Sequence, residues 1–205
     1  MIRCESIACG MTELQRADGI SQRARAQREN HIMETCKNLA ALANEARMLA
    51  LDAVHTAKSG HVGGSFSVID ALTVLYFNTM RIDPADSKNP DRDRFVLSKG
   101  HCSPALYAVL ALRGYFPKEE LKKFRSIHHH MSGHVEMNHV NGVDMSAGSL
   151  GQGLSAAVGM ALAGKLDGKD YRVYAAMGDG EIVLKDSAAN LLVNEDVKKA
   201  YLGGA

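Results

Sequence analysis

An aspartate held between two glycines, Gly178-Asp179-Gly180, follows an apolar run over residues 171–177, and the combination could hold a metal ion against a phosphate. The run reads as a buried strand. Glycines let the backbone approach phosphate oxygens, and the carboxylate of Asp179 offers a hard oxygen ligand to a divalent ion. Open α/β sheets bind ligands at the carboxyl ends of their strands, where this tripeptide falls. Asp-Gly is also a common turn pair, so the tripeptide gains weight only from its company. Three histidines that each follow a glycine, His61, His101 and His134, lie in separate loops. Imidazole exchanges protons near neutral pH, which suits it to moving protons on and off hydroxyl groups. A Gly-rich turn, Gly148-Ser149-Leu150-Gly151-Gln152-Gly153, stands where loop gives way to helix. The free N–H groups of a helix start receive an anion or a polar ring edge. The plain alternatives are a helix start without a ligand and solvated loop histidines.

In chain order, Ser59-Gly60-His61-Val62-Gly63-Gly64-Ser65, Asp91-Arg92-Asp93-Arg94-Phe95-Val96-Leu97-Ser98-Lys99-Gly100-His101, Gly133-His134, the Gly148 turn and Gly178-Asp179-Gly180 make five ordered motifs. The series resembles the N-terminal, diphosphate-binding part of the transketolases over residues 38–181, and above all those members that divide the enzyme between two subunits. The resemblance implies an α/β thiamine-diphosphate-binding fold, a parallel sheet with helices on both faces, here truncated. It implies transfer of a two-carbon ketol unit between sugar phosphates, with thiamine diphosphate and Mg²⁺ as cofactors. By the same resemblance Asp179 is the first Mg²⁺ ligand, with Gly178 and Gly180 shaping the turn around the diphosphate. His101 then lies near that diphosphate, and His61 and His134 face the substrate. Gly148 meets the aminopyrimidine through its backbone, Ser149 and Gly151 belong to the same cofactor-binding turn, and Leu150 packs under the cofactor. A homodimeric core, a cytoplasmic location and a partner in the form of a C-terminal, pyrimidine-binding subunit are implied as well.

This chain departs from the pattern at several points. Val62 and Val135 stand where many relatives carry proline, which loosens those loops without removing an imidazole. Leu184 stands where relatives have a further acidic residue, and the Asn that completes their metal site falls past residue 205. A non-catalytic fragment of the same fold is therefore the rival reading.

Helical and strand periods supply the scaffold. Leu39, Leu42, Ala46, Leu49, Ala50 and Ala53 recur at helical spacing and predict a helix over 34–57 that ends at Ser59-Gly60. A second helix is expected from Ser67, a loop over 81–94, a short strand at Phe95-Val96-Leu97, and a helix over 104–112 stopped by Gly114. Pro117 should open another helix from its first turn, a His-rich loop should run over 128–148, and a helix should follow over 150–166 before the strand at 171–177. Strand and helix in alternation imply a parallel sheet.

Three units emerge: a polar N-terminal extension over 1–30 that turns helical near Ala24, a partial diphosphate-binding domain over 31–181, and an atypical tail over 182–205. The tail weakly resembles the C-terminus of ATP-binding subunits of branched-chain amino acid importers. It reads either as a junction of unrelated coding segments or as a divergent native ending.

Composition narrows the function classes. With 24 Lys and Arg against 23 Asp and Glu, the net charge of +1 leaves no electrostatic footprint for nucleic acid or an acidic membrane. The four cysteines show no C-x-x-C pair, in keeping with a reduced compartment. His128, His129, His130, His134 and His139 raise a His-rich metal-binding alternative, although adjacent histidines do not readily aim at one ion and no acidic ligand pattern accompanies them. The string from Gly159 to Lys165 imitates a phosphate loop, but Leu166 replaces the required Ser or Thr and the string sits within a helix pattern.

Overall fold

In the computed structural model, residues 22–178 are described. Helix α1, Gln22–Ala57, is much longer than the period over 34–57 predicted, and it begins inside the stretch read as an extension. Its inner face is built from Ala43, Ala46, Ala50 and Ala53, all nearly fully buried. Small side chains at that spacing let α1 lie close to helices α2, Val62–Val74, and α3, Ser103–Arg113. Every residue of α3 from Ser103 to Ala111 is buried, so this helix forms the centre of the core rather than an amphipathic cover. Left-handed Gly114 ends it, as expected.

Two expected helices take other forms. Helix α2 starts at Val62, not Ser67, because tertiary contacts outweigh the poor propensity of Gly63 and Gly64. The Ser65 hydroxyl donates to the His61 carbonyl (2.7 Å), and the Lys99 ammonium donates to Ser67 Oγ (3.1 Å). The helix then widens into a π turn, Leu75–Thr79. Pro117 stands just outside the next element, which is a 3₁₀ turn, Lys118–Lys123, and not an α-helix.

Strand β1, Arg94–Leu97, pairs in parallel with β2, Val173–Ala176, so that Arg94 faces Val173 and Leu97 faces Ala176. The connection between them runs through α3 and then helix α4, Gln152–Leu166, which packs on both strands. The expectation of a buried strand over 171–177 is corrected: β2 is half-exposed, with Ala175 open, because among the described residues only β1 flanks it. The outer side of α4 is bare too, with Val158, Leu162 and Leu166 at 59%, 54% and 78% exposure. The phosphate-loop look-alike lies in the interior of α4, with no loop to present.

Asp93, fully buried, ties the two strand starts together. Its carboxylate accepts from the backbone N–H of Arg81 (2.9 Å) and of Arg172 (2.8 Å), and from the Arg81 guanidinium (3.2 Å). Burial pushes this carboxyl upward, but the two backbone donors and the Arg81 side chain outweigh it and hold the pKa below the ordinary value. A carboxyl depressed in the folded state contributes stability that is complete above the unfolded pKa, about 3.9, and is lost as pH falls through the folded value. Thermal unfolding between pH 7 and pH 3 is expected to show this loss in the wild type and a shallower acid dependence in Asp93→Asn. Equal acid slopes would show that Asp93 is not the titrating link.

Candidate functional site

The carboxyl edge of the sheet is where the separated motifs meet. Beyond β1 the chain passes through Ser98 and Lys99 into a 3₁₀ turn, Gly100–Cys102, that delivers His101. His61 caps α2 from an extended backbone. The two rings lie edge to face with centroids 4.9 Å apart, although forty residues of chain separate them. Gly64 makes this approach possible: a Cβ there would come within 2.7 Å of Cys102 Sγ and 3.6 Å of His101 Nε2. Lys99, nearly buried, draws the same turn onto the strand end, its ammonium 3.4 Å from the Gly64 carbonyl.

The long loop between the 3₁₀ turn at Lys118–Lys123 and α4 packs against this edge. An added Cβ on Gly100 would fall 1.9 Å from the Ala147 carbonyl oxygen, so the backbone of residue 147 rests directly on the turn that carries His101. Gly148 follows at once, and a Cβ on it would meet nothing within 4 Å, which leaves open space beside the histidines. Gly151 turns the chain into α4 with φ +87°, a conformation that side chains other than glycine resist. Gly153 then lies so close to Ser98 that a Cβ would meet its Cα at 2.7 Å. Leu150 projects from this turn with 59% of its surface exposed, a large apolar side chain without cover, and Ser149 is exposed beside it.

His134 is exposed, and its loop is tied through the backbone to the first turns of α3, the helix that follows the turn bearing His101. The Ser103 hydroxyl donates to the Gly133 carbonyl (2.9 Å), and the Tyr107 hydroxyl donates to the His134 carbonyl (3.1 Å). Burial pushes the Tyr107 hydroxyl up to about 12, so it stays protonated and donating. Arg125 bridges the two outer histidine loops: its guanidinium donates to the Ser59 hydroxyl and lies where a Cβ on Gly133 would fall, 2.3 Å from Nε. Sequence reasoning did not single out Arg125, Lys99 or Asp144. Lys99 lies inside the motif that ends at His101, but nothing local marks Arg125 or Asp144.

Ser98 N–H donates to the Ala176 carbonyl (2.9 Å), so the chain leaving β2 toward Gly178 runs beside the chain leaving β1 toward His101. Asp179 and Gly180 lie outside the described residues. The five loop histidines do not all gather: His139 pairs with Glu136 (2.8 Å), His128 is exposed, and the His134 backbone is held by Tyr107 of α3.

A family model described as transketolase, thiamine diphosphate binding domain, matches residues 39–184. The chain belongs to the transketolase family. It is 50% identical over 139 residues to a 6-deoxy-6-sulfo-D-fructose transketolase subunit of Clostridium sp. (strain MSTE9), a match covering 68% of this chain and 50% of that one. To one subunit of the apulose-4-phosphate transketolase of Phocaeicola vulgatus it is 46% identical over 138 residues, covering 66% and 48%. The chain thus spans about half the length of these curated relatives. Its fold superposes on the transketolase of Leishmania mexicana with a TM-score of 0.66 at 36% identity, over 71% of this chain and 23% of that structure. No helix among the described residues is long and apolar enough to cross a membrane.

Thiamine diphosphate suits what the edge of this transketolase-family domain offers. Gly148 has open space on its Cα and Leu150 is uncovered, so the start of α4 offers both backbone and apolar surface there.

Proposed function

We propose that residues 31–181 form the diphosphate-binding domain of a thiamine-diphosphate-dependent transferase that moves a two-carbon ketol unit between sugar phosphates. The observation that carries this reading is the His61–His101 pair at the carboxyl edge of two parallel strands, beside the open Gly148 turn. The bound cofactor would supply the electron sink for breaking and making the carbon–carbon bond. The protein's residues hold and orient. The open Gly148 turn would receive the cofactor, and Leu150 would give it an apolar support. His101 would hold the diphosphate, while His61 and His134 would exchange protons with sugar hydroxyls. Asp179, with Gly178 and Gly180 at its sides, would hold Mg²⁺ against the diphosphate.

The two relatives named as subunits support a separate partner subunit. A pyrimidine-binding role for that partner, a homodimeric core and a cytoplasmic place of work complete the proposal. Calorimetric titration of the chain with thiamine diphosphate and Mg²⁺ tests the domain reading. A charge-assisted contact to the diphosphate contributes about 1.5–3 kcal/mol, so His101→Ala is expected to weaken binding by ~10- to 150-fold, and Asp179→Ala to abolish its Mg²⁺ dependence. Binding that neither substitution changes, or no binding at millimolar cofactor, would favour a non-catalytic fragment.

A further inference from the structure

Away from the sheet edge, three donors the fold brings together have no part in the cofactor site. Glu120 comes from the 3₁₀ turn Lys118–Lys123, and His129 and His130 from the loop after it. Each offers one ligand atom, and the three atoms lie within 4.8 Å of one another. Glu120 Oε2 stands 3.0 Å from His130 Nε2, and the two imidazoles stack with centroids 4.1 Å apart and planes 29° from parallel. This overturns both sequence-based objections to a metal here: adjacent histidines do share one direction, and an acidic partner exists. The backbone explains why. Arg125 and His128 both take left-handed φ values, +56° and +66°, and reverse the chain within a few residues. Bonds from Arg125 N–H to the Met131 carbonyl (2.8 Å) and from His129 N–H to the Ser126 carbonyl (3.2 Å) close the loop on itself. Such a loop holds its side chains together before any ligand arrives.

We infer that Glu120, His129 and His130 form a binding site for a borderline divalent transition-metal ion such as Zn²⁺, with water at the remaining position. Two imidazoles and one carboxylate are the donor set of open, four-coordinate zinc sites. Donors about 2.0–2.2 Å from a tetrahedral ion stand about 3.3–3.5 Å from one another, so the Glu120–His130 contact already has nearly the required span. Small rotations of partly exposed side chains close the rest. The ion would replace the present Glu120–His130 contact and cross-link the 3₁₀ turn, which packs on α1, to the loop that leads to Gly133 and His134. The site is independent of thiamine diphosphate.

The test is calorimetric titration of the full chain with Zn²⁺ alone, in the absence of Mg²⁺ and cofactor, with circular dichroism to verify that each variant folds. One ion is expected to bind per chain with micromolar affinity. Glu120→Gln, His129→Ala and His130→Ala should each weaken it by at least ~10-fold, the lower end of what losing even a supporting group around a metal does. His128→Ala and His139→Ala, neighbours outside the trio, should leave it unchanged. With Co²⁺ in place of Zn²⁺, visible absorption of four-coordinate intensity should appear and vanish in His130→Ala. Absence of saturable binding, or equal losses in His128→Ala and His130→Ala, would overturn the assignment.

Discussion

Gly100→Ala is expected to unfasten the site and cost about 3 kcal/mol or more of stability. The new methyl carbon would stand 1.9 Å from the Ala147 carbonyl oxygen and 2.6 Å from its carbonyl carbon. Both are backbone atoms, so no rotamer change relieves the overlap, and the whole segment before Gly148 must lift from the turn that carries His101. Overpacking a tight contact costs about 1–3 kcal/mol when side chains can yield, and more when they cannot. For a chain of this size that corresponds to a fall in Tm of roughly 6–12 °C. Cofactor affinity should fall with it, because Gly148 and His101 no longer face the same space. Gly63→Ala is the matched control: its Cβ would meet nothing within 4 Å, and alanine favours helix α2, so Tm should hold or rise slightly. Differential scanning calorimetry of the two variants decides it. If both melt with the wild type, residues 100 and 147 do not touch.

Asp144→Ala is expected to be comparably damaging through a different mechanism. Its carboxylate, 4% exposed, pairs with the Arg92 guanidinium and accepts from Phe95 N–H (2.7 Å). It therefore pins the end of the histidine-bearing loop to the first residues of β1. Removing one partner of a buried pair leaves the other charge uncompensated, at about 3–5 kcal/mol. Arg92 keeps bonds to the carbonyls of Ser87 (2.7 Å) and Asp93 (3.0 Å), which places the expectation near the lower figure, about 3 kcal/mol. The double variant Arg92→Ala/Asp144→Ala should be less unstable than the two single losses added together, because the residues contact each other directly. Urea unfolding of the four proteins measures the coupling. Strict additivity would mean that the pair contributes nothing beyond its separate side chains.

How much of this was legible beforehand depends on the range of the interaction. The periods in residues 34–57 and 104–112 report backbone geometry one turn at a time, and there the helices stand where alanines and leucines recur. Phe95-Val96-Leu97 reads as a strand for the same reason, and Gly114 as a stop because few other residues accept its φ of +97°. The ordered Gly-His and Gly-rich strings identify the family because they are contiguous.

Long-range contacts left no such mark. The start of α2 escapes the local pattern because Lys99, more than thirty residues on, bonds the Gly64 carbonyl in its first turn. The strand over 171–177 reads as buried because apolar residues fill it, whereas exposure depends on what lies alongside. Pairing of Arg92 with Asp144, the rest of Gly100 on Ala147, and the meeting of Glu120 with His129 and His130 all join residues whose local patterns carry no trace of the partner. A period or motif records what neighbouring residues in the chain do to each other. Convergence is fixed only when loops close and side chains from distant segments compete for the same space, and in this domain that competition is what sets His61 against His101.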